Sequence, residues 1–286
     1  MKLRRFLYGA LLTLQAGLVL TGGAVRITGS GLGCPTWPEC TPGSYTPVPH
    51  QAEGQLHAWI EFGNRLLTFA LVAVSIAVLA HVLYKARRDL RTLALGQLLG
   101  ILGQGVLGGI TVLTDLHPLP VAGHLLLSII LIAGAASLYS RREFVALPRT
   151  DLEPLTKRIS QMHTALTFVV IVLGTVVTGS GPHAGDEKAQ RFGFDIRTVA
   201  WLHADVVIAL LGLTAAFYIL VRSDRELLRR LTVFTVIALA QGAIGYIQYF
   251  TGIPEILVAA HLLGATLVWI AAWRIRITVT KTLAVE

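Results

Sequence analysis

Apolar stretches alternate with short polar ones along this chain. Eight of them run for roughly 20 residues, the length a helix needs to cross about 30 Å of hydrocarbon. They fall near 6–25, 57–84, 92–113, 119–140, 160–178, 199–221, 229–250 and 255–273. The pattern predicts an all-α integral membrane protein of eight transmembrane helices. Composition agrees, since 54% of the 286 residues are hydrophobic, 14% are charged and the mean hydropathy is +0.67. The first run follows basic residues, as a signal peptide does. It is too long for a typical signal core and no small-residue cleavage site clearly follows, so it reads as the first span.

The net charge of +8 would suit nucleic acid, but the positions of the charges speak for topology. Lys2, Arg4 and Arg5 precede span one, and Lys85, Arg87, Arg88 and Arg91 lie between spans two and three. Five more basic residues separate spans four and five, four separate six and seven, and three follow span eight. Only Arg26, Lys188, Arg191 and Arg197 lie on the other side, and Arg65 is inside a span. The positive-inside rule then puts both termini in the cytoplasm, with lipid and not nucleic acid as the partner.

The stretch Gln104–Leu126 returns as Gln241–Leu263, agreeing at 10 of 23 positions. Self-similarity at this period means a duplicated unit. It predicts two four-helix halves, 1–140 and 159–286, joined by a cytoplasmic linker over 141–158. Each copy ends one helix, turns at a proline, and opens the next helix with a single histidine, His124 or His261.

Polar residues at the outer ends of the even-numbered spans are the candidates for chemistry. His57, Glu61 and Asn64 lie at i, i+4 and i+7 on one face of span two. An acid at that depth is costly unless paired or used. Arg65, four residues after Glu61, offers an internal ion pair as the plain alternative to a proton-handling role. Span six carries His203, the repeat counterpart of Asn64, and span eight carries His261. Arg26, at the outer rim of span one, reads either as an interfacial arginine or as a contact to an anionic group of a cofactor. Cys34 and Cys40 flank PTWPE in the first outer loop. They are expected to close a small disulfide loop rather than stay as free thiols, and two thiols alone make a poor zinc site.

His50, His117 and His183 lie in or near outer loops, and His81 and His163 lie toward the cytoplasmic ends; all five are weaker candidates. Trp59 and Trp201 at the outer interface, and Trp269 and Trp273 at the inner one, suggest an aromatic belt. The glycines of span three admit a neighbouring helix or a flat ligand. Imidazoles at one depth in facing helices are a standard way to hold heme iron, and carboxylates are too scarce for a bare metal ion. The residues therefore point to a duplicated membrane heme protein.

The run TGGAVRITGSGLGCPTWPEC, the Glu61-Phe-Gly-Asn64-Arg65 motif and the single histidines opening spans four, six and eight resemble the heme A synthase family over essentially the whole chain. That resemblance implies oxidation of a ring methyl of heme o to the formyl group of heme a, for cytochrome oxidase assembly. It implies His203 and His261 as axial ligands of a heme b, His124 as a ligand of the substrate heme, Glu61 as the catalytic acid, and Cys34 with Cys40 as the outer cysteine pair. Asn64 departs from the family pattern, which has histidine there. His124 alone then holds the substrate iron, or His57 approaches from one face further out, with Asn64, Arg65 and Arg26 around the ring. The expected location is the cell membrane. Heme O synthase is the expected supplier of substrate, the electron donor is unidentified, and association into oligomers stays open. A quinol-linked heme b electron-transfer cytochrome and a heme carrier or export component are the alternatives.

Overall fold

The computed structural model describes residues 2–143, 145–187 and 189–283; Lys188, one of the outer basic residues, lies outside them. Eight long helices follow one another: α1 (Lys2–Ile27), α2 (Gln55–Tyr84), α3 (Arg88–Leu113), α4 (Pro118–Ser140), α5 (Pro154–Ser180), α6 (Ile196–Leu220), α7 (Arg225–Phe250) and α8 (Glu255–Thr280). All eight are long and apolar enough to span a membrane, and the protein is a multi-pass membrane protein. Local chemistry marks the starts. Pro118 and Pro154 sit in first turns, where the missing N–H costs nothing. Asp195 and Asp224 cap α6 and α7 through the backbone N–H groups of Thr198 and Leu227.

Helices α1 to α4 pack in sequence and close through α1 against α4, around Tyr8, Leu11, Leu71, Ile101 and Leu138. Helices α5 to α8 pack around Phe217, Leu231, Phe234 and Ile275, with α6 and α7 only sparsely in contact. A third cluster, including Val19, Ile132, Ile171 and Trp269, joins the two groups where α1 and α4 meet α5 and α8. Large apolar side chains elsewhere, such as Phe69, Ile219 and Phe250, point outward, as lipid-facing helices require.

Two features depart from the sequence pattern. Trp269 and Trp273 do not form an inner belt. Trp269 is buried and donates its indole N–H to the Ile129 carbonyl (2.7 Å), and Trp273 donates to Ser137 Oγ (2.8 Å). Both bind α8 to α4, because a buried indole N–H needs an acceptor and α4 supplies one at each level. Trp59 and Trp201, by contrast, are exposed near the outer helix ends. The stretch 141–158 also contains β1 (Ala146–Pro148), paired antiparallel with β2 (Lys281–Leu283). Arg149 secures this corner, bonding Asp151, Asp224 and the Thr278 carbonyl. Its bonds hold the Asp151 carboxyl below the usual range for an aspartate.

Candidate functional site at the outer helix ends

Asn64 is the tenth residue of α2, His124 the seventh of α4, His203 the eighth of α6 and His261 the seventh of α8. At 1.5 Å per residue they lie roughly 9 to 14 Å inside the outer helix ends, at a common depth. Each faces a glycine of the preceding helix. A Cβ on Gly108 would stand 3.3 Å from His124 Cε1, one on Gly174 3.5 Å from His203 Cε1, and one on Gly245 3.1 Å from His261 Cε1. A Cβ on Gly22 would stand 4.0 Å from Asn64 Nδ2. The imidazoles therefore lie directly on neighbouring backbone.

Glutamines hold the turns that carry two of them. Gln104 donates to the His124 carbonyl (3.0 Å) and to Ser128 Oγ (2.6 Å), and Gln241 donates to the His261 carbonyl (2.7 Å). Gly108 is one of the span-three glycines that the sequence marks as room for a flat ligand, whereas the sequence reading missed Gly22, Gly174, Gly245 and the two glutamines as site residues. Gln104/Gln241 and Gly108/Gly245 are identical positions of the repeat, and that was the available signal.

Nδ1 of His124 and Nδ1 of His261 are buried without a hydrogen-bond partner. Such an atom costs about 1–3 kcal/mol, which a leucine in the same space would avoid. His203 and His261 are also close enough to interact electrostatically. Among the described residues no group of three or more His, Cys, Asp or Glu can hold a metal ion. Imidazoles lying on glycines at one depth suit the axial ligation of a planar iron macrocycle. The residues present fit a heme.

The first four helices differ in what faces the histidine. Asn64 Oδ1 accepts a hydrogen bond from Thr21 Oγ1 of α1 (2.7 Å). Three residues earlier, Glu61 is buried and both its oxygens are engaged. Oε1 takes the Arg65 guanidinium (2.7 Å) and Oε2 the Cys34 backbone N–H (2.6 Å). The ion pair between Glu61 and Arg65 is therefore formed. Arg65 reaches further, donating to the carbonyls of Cys34 (3.0 Å), Thr36 (3.1 Å) and Glu39 (3.2 Å).

Cys34 and Cys40 are joined in a disulfide and fully buried. The loop they close is thus tied to α2 by one carboxylate and one guanidinium, while Trp37 lies against Gly109 of α3. It forms a lid over the outer end of α2 and α3. His57 lines a cleft of about 290 Å³ beneath the outer loops, with Glu53 and Asp186.

Arg26 donates to the carbonyls of Thr178 (3.0 Å) and His183, fastening the end of α1 to the end of α5 and the loop after it. Three of the weaker histidines have structural partners. His163 is fully buried against Thr214 Oγ1 (3.2 Å) and edge-on to Phe217 and Phe234. His183 pairs with the Ile253 carbonyl (2.8 Å), and His117 accepts from the Leu119 N–H at the start of α4.

The glycine under His261 yields a prediction. Gly245→Ala places a methyl tighter against the ring than most real contacts allow, so the ring must shift slightly off the helix. Heme content of the purified protein is expected to fall several-fold. Gly212→Ala, with open space around its new methyl, is expected to leave it unchanged. Equal heme content in the two variants would show that the ring's place on Gly245 is unimportant.

Fold and site together define a polytopic membrane protein whose helices carry histidines at similar distances from their N-terminal ends. The chain belongs to the cytochrome oxidase assembly protein family COX15-CtaA, whose model matches residues 4–185. Among its relatives is the heme A synthase of Geobacillus thermodenitrificans, 34% identical over 103 residues, covering 35% of this chain and 30% of that protein. The heme A synthase of Methylobacterium nodulans is 30% identical over 205 residues, covering 58% and 55%. That of Methylobacterium sp. strain 4-46 is 26% identical over 328 residues, covering 93% and 88%. The matched region spans about a third to a half of the length of the first two.

Proposed function

We propose that the protein is a heme A synthase of the cell membrane, oxidising a ring methyl of heme o through hydroxylated intermediates to the formyl group of heme a. The observation that carries this is the unequal pair of histidine sites: His203 with His261 in the second half, and His124 facing Asn64 beside Glu61 in the first. Family membership and the relatives named heme A synthase support the same reading. In it the chain is two repeated four-helix halves, 1–140 and 159–286, with both termini cytoplasmic. His203 and His261 hold a heme b, and His124 holds the substrate heme.

When bound, the hemes supply the electron transfer and oxidation chemistry. The chain's own residues do the positioning. Gly108, Gly174 and Gly245 set how closely the imidazoles lie on the helices, and Gln104 and Gln241 fix the turns that carry two of them. The disulfide loop, held by Arg65, shields the outer end of the first half from water. Among the described residues Glu61 is the one buried carboxylate, three residues from Asn64, and it serves as the proton-handling group. Heme o arrives from heme O synthase within the same bilayer.

Expression with a heme o supply, followed by chromatography of the extracted hemes, tests the assignment. Heme a with a hydroxylated intermediate supports the synthase. Heme b alone supports an electron-transfer cytochrome, and unmodified exchangeable heme supports a carrier. For Glu61→Gln, retained heme b with at least about 100-fold slower heme a formation is expected, the lower end for loss of a general acid or base. An unchanged heme a yield with heme b still bound removes Glu61 from the chemistry.

A further inference from the structure

In the proposed synthase, Asn64 occupies the place that His203 takes in the second half, yet an amide is a poor iron ligand. We propose that Asn64 instead donates a hydrogen bond to a small exogenous ligand on the open face of the heme iron held by His124, with Thr21 as its positioning residue. This rests on the heme reading of the first half.

Amide and hydroxyl together define the geometry. Thr21 Oγ1 stands 2.7 Å from Asn64 Oδ1 and donates to it. A threonine hydroxyl has one proton, and its other acceptors, the carbonyls of Gly17 and Leu18, lie farther away at 3.3 and 3.4 Å. The bond therefore turns the carbonyl end of the amide toward α1 and leaves the NH2 as the free end. A Cβ on Gly22 would stand 4.0 Å from Nδ2. Among the described residues, the bond to Thr21 is the only one the Asn64 side chain makes.

The amide is half-buried, and its NH2 donors have no side-chain or backbone acceptor among the described residues. Asn64 and His124 sit at similar distances from the starts of α2 and α4, and the His124 ring lies on Gly108 of α3. One imidazole and one oriented N–H donor make a five-coordinate site with a polar pocket over the sixth position. Two imidazoles, as in the second half, make a closed six-coordinate one.

The test uses the full-length protein purified with its hemes, reduced and exposed to carbon monoxide as the probe. In wild type one heme binds carbon monoxide and one stays low-spin. His124→Ala is expected to lose the first and keep the second. Asn64→Leu and Thr21→Val are expected to keep carbon monoxide binding, with the C–O stretching frequency shifted upward in the first and broadened and shifted in the second. The affinity of the ferric site for azide should fall roughly five- to tenfold in Asn64→Leu, the worth of one hydrogen bond. Asn64→His is expected to convert the site to low-spin and block the probe. A C–O stretch unmoved in both Asn64→Leu and Thr21→Val overturns the donor role while leaving the heme in place. Carbon monoxide binding that survives His124→Ala overturns the heme site itself, a different and separable failure.

Discussion

Replacing His261 by alanine is expected to cost the second half its heme, and the protein its activity, while leaving the helices assembled. The ring lies on Gly245, and its buried Nδ1 has no protein partner, so no protein hydrogen bond at that nitrogen is lost with the imidazole. The turn around it stays fixed, because Gln241 bonds the backbone carbonyl of residue 261 and not its side chain. The inner part of α8 is anchored separately by Trp269 on Ile129 and Trp273 on Ser137.

Outer-shell partners of metal ligands are worth roughly 10- to 100-fold in affinity, so loss of a ligand should cost about 100-fold or more. Heme-to-protein ratio and helical content, measured on the same sample, check this. Heme near the wild-type ratio excludes His261 as a ligand. Heme lost together with helicity would mean that the ring holds the fold. His203→Ala should behave in the same way, and His163→Ala should not. His163 is fully buried among Thr214, Phe217 and Phe234, so its loss should cost stability and spare heme.

Helix positions were legible because hydropathy over a span is a summed quantity that local context cannot overturn. The ends were less so. The apolar runs at 6–25 and 160–178 became α1 (Lys2–Ile27) and α5 (Pro154–Ser180). Backbone hydrogen bonding continues past the hydrocarbon edge, where Arg4, Arg5, Lys157 and Arg158 are solvated. Histidine depth was readable from spacing alone. What lies across from each histidine was not, because Thr21 meets Asn64 only through the packing of α1 on α2. The reach of Arg65 to carbonyls 26 to 31 residues away depends on the path of the lid loop, which leaves no periodic trace. Trp269 misled for a related reason. Its place in the sequence suits an interface, but the contact of α8 with α4 turns it inward.

Arg65→Ala is expected to be more damaging than Glu61→Gln to stability, and the comparison separates the two roles of this pair. Removing the guanidinium takes away three loop carbonyl contacts. It also leaves the buried Glu61 carboxylate with the Cys34 N–H as its one remaining partner. Breaking a buried ion pair costs about 3–5 kcal/mol. The Arg65 side chain is 20% exposed, so the lower end applies. The lid should loosen, seen as faster reduction of the Cys34–Cys40 disulfide and a lower unfolding temperature in detergent.

Arg65→Lys should recover only part, since an ammonium cannot fork to a carboxylate and several carbonyls together. Glu61→Gln behaves differently because an amide oxygen can still accept from Arg65 or Cys34, leaving the bonds of Arg65 to the three carbonyls intact. Its stability should stay near wild type while heme a formation falls. In the double variant Glu61→Gln/Arg65→Ala, stability should rise above that of Arg65→Ala alone, because no uncompensated carboxylate remains buried. If Arg65→Ala unfolds no sooner than wild type and its disulfide is reduced no faster, Arg65 does not hold the lid. If Glu61→Gln loses stability as fully as Arg65→Ala does, the carboxylate is a staple, and its loss of activity follows from the lid and not from proton transfer.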